Sequence, residues 1–159
     1  MSPDAPSDWP RENGRPAPLP TAASFPAASS VPPTSAAARG YVRCVLRHRA
    51  DRGEGTVRER ALTDVLLVVS ELFTNALRHG GGVTRFEVGV AGDTLRVTVG
   101  DRSTDLPQQR HTAHPGTGTG GTGGTGGYGW PLIRELATEI DLVLERGGGK
   151  LITVTLPLY

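Results

Sequence analysis

Cysteine is almost missing from the 159 residues. Cys44 stands alone, so no internal disulfide can form, and no CxxC or Cys/His cluster offers a structural zinc site. A long apolar run is missing too. The longest aliphatic stretch, Val65 to Val69, is far too short to span a bilayer, and the first residues carry Asp4, Asp8 and Glu12 among prolines with no secretory apolar core. A cytoplasmic protein without a membrane span is the expectation. No charge of one sign dominates: 17 basic residues face 16 acidic ones, for a net charge of +1, so no global field draws the chain to nucleic acid or membrane. The length leaves room for one domain and excludes two separate catalytic domains.

What is present is unevenly spread. Nine of the 13 prolines precede residue 34, and nine of the 22 glycines crowd Gly116 to Gly129. Residues 1–22 show no apolar period and cannot bury enough surface to offset ordering, which predicts a disordered Pro/Ala-rich tail ahead of a domain over 23–159. Ala38, Tyr41, Val42, Val45 and Leu46 recur at three and four residues and predict a helix over 35–50, with Pro32 and Pro33 in its first turn. Arg39, Arg43 and Arg47 then form a basic stripe, expected as a solvated face. Cys44 is expected as a small packed residue.

A second helix is announced by Thr56 and Glu59, spaced as a capping box before Leu62, Val65, Leu66, Val69, Leu72, Phe73 and Ala76, and Gly80 is expected to end it. Thr84 to Val90 and Leu95 to Val99 alternate around Ala91-Gly92-Asp93, the pattern of a hairpin. A short helix over 131–138 and a second hairpin, Ile140 to Glu145 with Leu151 to Leu156, complete the order. Together these elements predict an α+β fold, a two-layer sandwich with helices on one face of a mixed, mostly antiparallel sheet.

Three features could carry chemistry. Glu71 and Asn75 are one helical turn apart on the second helix, so their side chains share a patch. A carboxylate beside a carboxamide can offer one ligand to Mg2+ and one acceptor to a hydroxyl proton, or can be a solvated face. The strand parity that turns Leu95, Val97 and Val99 inward also turns Asp101 inward, where it needs a donor such as the exocyclic amine of a purine, or a nearby backbone turn to cap. The glycine tract running into Pro131 suits either a phosphate lid or a linker. Gly124 to Gly129 matches GxGxxG through its repeat alone, without the surrounding βαβ unit. Gly148-Gly149-Lys150 lacks Walker spacing, and since Lys150 is the only lysine, a P-loop ATPase is excluded.

Val69-Ser-Glu71-Leu-Phe-Thr-Asn75-Ala-Leu-Arg-His79-Gly80 resembles the N box of the GHKL (Bergerat-fold) ATPases, closest to small bacterial ATP-binding regulators of the anti-sigma factor serine/threonine kinase type. Asp101, Gly127-Tyr-Gly129-Trp-Pro-Leu-Ile133 and the final Gly148-Gly149-Lys150 hairpin follow in the family's order. By that resemblance Glu71 is the general base, Asn75 the Mg2+ ligand and Asp101 the adenine acceptor. Gly127 and Gly129 belong to a lid over about 108–129, and Arg78 and His79 either touch phosphate or pack the helix end. The resemblance implies ATP and Mg2+ as cofactors and transfer of phosphate to Ser or Thr of an anti-sigma antagonist. A sigma factor is the other implied partner, and a homodimer is compatible with it. The alternative is a non-catalytic module that sequesters its partner. One departure stands out: the family's first glycine box follows its Asp with glycines, whereas here Arg102-Ser103-Thr104-Asp105-Leu106-Pro107 follows. His111 and His114 lie in the lid stretch and are expected in solvent.

Overall fold

Thr34 opens the first long helix. Its hydroxyl accepts from the backbone N–H of Ala37 at 3.1 Å, which satisfies one of the orphan donors of α1 (Ser35–Asp51). Pro32 and Pro33 therefore stand before the cap, not inside the first turn. The computed structural model describes residues 11–12, 15–16, 31–107 and 129–159. Ahead of residue 31 it describes only β1 (Arg11–Glu12) and β2 (Arg15–Pro16), an antiparallel pair in which Arg11 faces Pro16 and Glu12 faces Arg15. The expected tail otherwise lies outside the described residues.

The stripe on α1 divides by its surroundings. Val42, Val45 and Leu46 are buried, Arg43 and Arg47 are exposed as expected, and Cys44 falls on the outer side as an exposed thiol, contrary to the packed position expected of it. Arg39 departs from the solvated face. Its guanidinium donates to the Ser35 hydroxyl at 3.1 Å and to the Ser70 hydroxyl at 3.0 Å, which fastens α1 to the next helix. Tyr41 packs edge-on to Phe86, with ring centroids 6.1 Å apart. Burial first, and Cys44 beside it second, push its phenol up from the ordinary tyrosine range.

Helix α2 (Glu59–His79) starts without the capping box. Arg58 is its N-cap and makes no side-chain cap bond; its backbone N–H donates instead to the carbonyl of Leu158 at 3.3 Å. A partner far along the chain has replaced the local one. Gly80 ends α2 as expected, though with φ of −96°, and the left-handed turns follow at Gly81 (φ 70°) and Gly82 (φ 109°).

The first hairpin is β3 (Val83–Ala91) and β4 (Thr94–Asp101), turning at Gly92 with φ of 53°. Helix α3 (Gly129–Leu136) then leads to β5 (Glu139–Leu144) and β6 (Lys150–Pro157). The sheet order is β3-β4-β6-β5. The crossover through α3 lays β5 in the same direction as β4 but not beside it, and the returning β6 fills the gap antiparallel to both. The sheet expected to be mixed and mostly antiparallel is thus antiparallel at every described pair of neighbours.

Helices lie on one face of the sheet, as an α+β sandwich requires. Helix α2 is central, flanked by α1 and α3 and seated on β4. Phe73 meets Phe86 of β3 edge-on at 5.9 Å, and Val65, Val69, Leu95, Val97 and Val154 are fully enclosed between the layers. The far face of the central strands is polar yet covered: Thr98 and Thr153, opposite each other, share a hydrogen bond of 2.9 Å. Among the described residues no helix is long and apolar enough to cross a membrane.

Three chain segments converge at Asp101. The backbone N–H of Arg102 donates to the carbonyl of Gly80 at 2.8 Å, joining the end of β4 to the end of α2. Gly80 itself touches the Asp101 side chain so closely that a Cβ would overlap it, and a Cβ on Gly149 (φ 100°) would overlap the Asp101 carbonyl. Two glycines are needed there for space. Gly80→Ala is expected to lower stability by roughly 1–3 kcal/mol through overpacking. Gly40→Ala, inside α1 where an added Cβ meets nothing within 4 Å, is expected to raise it by roughly 0.5–1 kcal/mol. Thermal denaturation of the two variants checks both signs.

Candidate functional site

Between α2, α3 and the adjoining ends of β4 and β6 lies a cavity of about 940 Å³, a size suited to a nucleotide-scale ligand. Its walls come from separate parts of the sequence: Glu71, Asn75, Arg78 and His79 on α2, Asp101 on β4, Gly129 and Trp130 on α3, Lys150 on β6, and residues 105–107 of the following loop. The residues expected to form a site therefore line one space. Gly127 and residues 108–128 of the expected lid, with His111 and His114, lie outside the described residues.

The helical period explains the α2 wall. Leu72, Phe73 and Ala76 are buried against the sheet, which leaves Glu71 and Asn75 half-buried on the adjoining stripe. Both side chains line the cavity without a hydrogen-bond partner among the described residues. Glu71 presses against the start of α3, where a Cβ on Gly129 would overlap its Oε2. Arg78 and His79 are exposed at the last turn of α2 and both line the cavity.

Asp101 is 5% exposed, as the strand parity demands. Its Oδ1 accepts from the backbone N–H of Ser103 at 2.9 Å, the local turn that a strand-end Asp often caps. The same Oδ1 accepts from the Lys150 ammonium, also at 2.9 Å. Its Oδ2 receives no donor from any described residue. A buried carboxylate that lines a cavity with one oxygen unpartnered among the described residues is a place for a ligand N–H.

The stretch that replaces the first glycine box is built from side-chain bonds. Ser103 Oγ accepts from the N–H of Asp105 at 3.0 Å, and the Arg102 guanidinium donates to the carbonyl of Gly81 at 2.9 Å. Short polar side chains thus hold a turn that glycines could otherwise reach by backbone freedom.

Lys150 is the residue to which sequence reasoning gave no role of its own, having used it to exclude a P-loop and as part of the final hairpin motif. The residue is 5% exposed, and its ammonium also donates to the carbonyl of Ser103 at 3.2 Å. The signal was the parity of β6: Ile152, Val154 and Leu156 turn inward, and Lys150 shares their side. The register then sets it opposite Asp101. Trp130 was also missed, since it sits on the first turn of α3 between the lid stretch and Pro131.

Among the described residues no group of three or more His, Cys, Asp or Glu side chains is placed to hold a metal ion. A magnesium ion that arrives with phosphate groups needs only one or two protein oxygens, and Asn75 can supply one.

The family model for the histidine kinase-like ATPase domain matches residues 31–156. Among seven solved chains that match, one is the histidine kinase domain of the E. coli osmosensor EnvZ, determined by NMR. It is 17% identical, with a TM-score of 0.37; the match covers 62% of this chain and 66% of that one. No curated protein matches the chain. The matched stretch takes in every described wall of the cavity, from Glu71 to Lys150, and most of the sequence. This chain belongs to the histidine kinase-like ATPase domain family.

Proposed function

We propose that the cavity binds ATP with Mg2+ and that the chain is a cytoplasmic regulatory protein kinase. It would transfer phosphate to a Ser or Thr hydroxyl of a small antagonist protein and hold a sigma factor as its other partner. The observation that carries this reading is the gathering of Glu71, Asn75 and Asp101 around one cavity. They fit the group they would hold. The open Oδ2 of buried Asp101 suits the exocyclic amine of adenine, and the Asn75 carboxamide oxygen suits one coordination position of Mg2+. Gly129, which leaves no room for a side chain beside Glu71, begins the helix whose N-terminal N–H groups suit phosphate oxygens.

Each residue has a separate task. Asp101 orients the base, and Asn75 helps place the metal that neutralises charge on the transferred group. Glu71, one turn before Asn75, accepts the proton of the incoming hydroxyl at a carboxylate oxygen. ATP with Mg2+ supplies the transferable phosphoryl group and most of the electrostatic help, because this chemistry depends chiefly on positioning and charge neutralisation. Arg78 and His79 add positive or donor groups at the rim.

The polar turn after Asp101 favours a second reading, in which the domain sequesters its partner without phosphoryl transfer. The two readings separate in one assay: labelled ATP incubated with a protein partner recovered by pull-down. Wild-type protein is expected to label Ser or Thr of that partner. Tight partner binding with no label on Ser or Thr leaves the sequestering module.

Asn75→Ala and Asp101→Asn are each expected to weaken ATP binding with the fold retained, and only Asn75→Ala should also reduce its Mg2+ dependence. Calorimetry with and without Mg2+ measures both, and unchanged affinity in both variants would remove the site assignment. Glu71→Gln should keep ATP binding while transfer falls by about 10²–10⁴-fold, the usual contribution of a general base. Single-turnover transfer to the recovered partner reads that loss.

A further inference from the structure

The buried pair of Asp101 and Lys150 is more than a brace. Both residues are 5% exposed and both line the cavity. An ammonium carries three N–H donors. Two of them go to Asp101 Oδ1 at 2.9 Å and to the Ser103 carbonyl at 3.2 Å. No described residue accepts the third. Asp101 likewise accepts both of its bonds at Oδ1, and among the described residues no donor reaches Oδ2. Two residues of the cavity wall thus hold, among the described residues, an acceptor and a donor without partners, and both side chains are fixed. Ser103 holds each partner by its backbone, Gly80 and Gly149 wedge Asp101 from two sides, and the strand register sets Lys150 opposite it.

Neither group is free to leave. Removing a buried charge from its partner is costly, so the pair persists as a unit when a ligand enters. A ligand edge that meets it well must carry a donor beside an acceptor. Adenine has that order on its six-membered ring, with the exocyclic amine next to the unprotonated ring nitrogen N1. We propose that Lys150 is a second base-reading residue: its ammonium donates to N1 of adenine while Asp101 Oδ2 accepts from the amine. The inference rests on the reading of the cavity as an ATP site. It adds a specificity role for the single lysine of the chain. A hydrogen bond from a charged donor in a buried site is lost whole when its acceptor is removed, because the donor then stays dry and unpaired.

Calorimetric titration with ADP, and with an ADP analogue in which N1 is replaced by C–H, tests this without any catalytic turnover. Wild-type protein is expected to bind the analogue about tenfold more weakly, the factor that follows from one charge-assisted bond. Lys150→Met should bind the two ligands equally. Because that change leaves the Asp101 carboxylate buried without its cation, the double variant Asp101→Asn with Lys150→Met serves as the charge-neutral check, and it too should lose the preference. A second readout uses the single lysine. With 15N-labelled lysine, the lone side-chain ammonium signal should shift further on saturation of the wild-type protein with ADP than on saturation with the analogue.

Equal binding of both ligands by the wild-type protein would overturn the proposal, as would a preference that survives in the methionine variants. Tighter ADP binding by Lys150→Met than by wild type would also overturn it, making the ammonium a plug in front of Asp101. These outcomes leave ATP binding itself standing. Failure of the wild-type protein to bind ADP at all would instead overturn the ATP-site reading and this inference with it.

Discussion

The architecture turns on a carboxylate and an ammonium that have both been taken out of water. Asp101 and Lys150 are each 5% exposed, and removing two such ions from solvent costs several kcal/mol apiece before their attraction offsets it. That offset requires tight geometry, and the surrounding chain supplies it. Gly80 and Gly149 have no side chains because the Asp101 side chain and carbonyl occupy the space. The end of α2 reaches the end of β4 through the bond from Arg102 to Gly80, and the start of β6 is aligned by the pairing of Lys150 with Asp101. The cavity exists where these three ends meet.

Glu71 shows a second use of missing side chains. Its carboxylate lies against Gly129 at the first residue of α3, where the partial positive charge of a helix start favours an anion. The same contact fixes how closely α3 approaches α2. The polar turn after Asp101 achieves by hydrogen bonds what a glycine run achieves by freedom. Ser103 is its pivot, since its N–H donates to Asp101, its carbonyl accepts from Lys150 and its hydroxyl oxygen accepts from the N–H of Asp105.

Local pattern made much of this legible in the sequence. The apolar stripe of α2 placed Glu71 and Asn75 together, and the alternation of β4 turned Asp101 inward, because helical and strand periods depend only on near neighbours. Long-range partners were not legible. The Thr56 cap lost to the carbonyl of Leu158, and Arg39 left the solvated stripe for Ser70, in both cases because a distant segment offered an acceptor. Cys44 was misplaced since one residue of helical phase separates the buried face from the exposed one. Lys150 had the inward parity of Ile152 and Val154, but its meaning depended on register, which a strand's own residues do not encode. The two hairpins were legible from their alternation, whereas the insertion of β6 between β4 and β5 was not.

That insertion bears on how the protein comes into being. Of the described strands, β6 is the last in sequence and yet sits inside the sheet, touching β4 on one edge and β5 on the other. While a ribosome is still making residues 150–157, β4 and β5 have unpaired inner edges and Asp101 has no cation. Such edges invite pairing with other chains. The site therefore cannot mature piecemeal during synthesis. It is completed only when β6 takes its place between β4 and β5, and a nascent chain interrupted before that point lacks the Lys150 wall of the cavity.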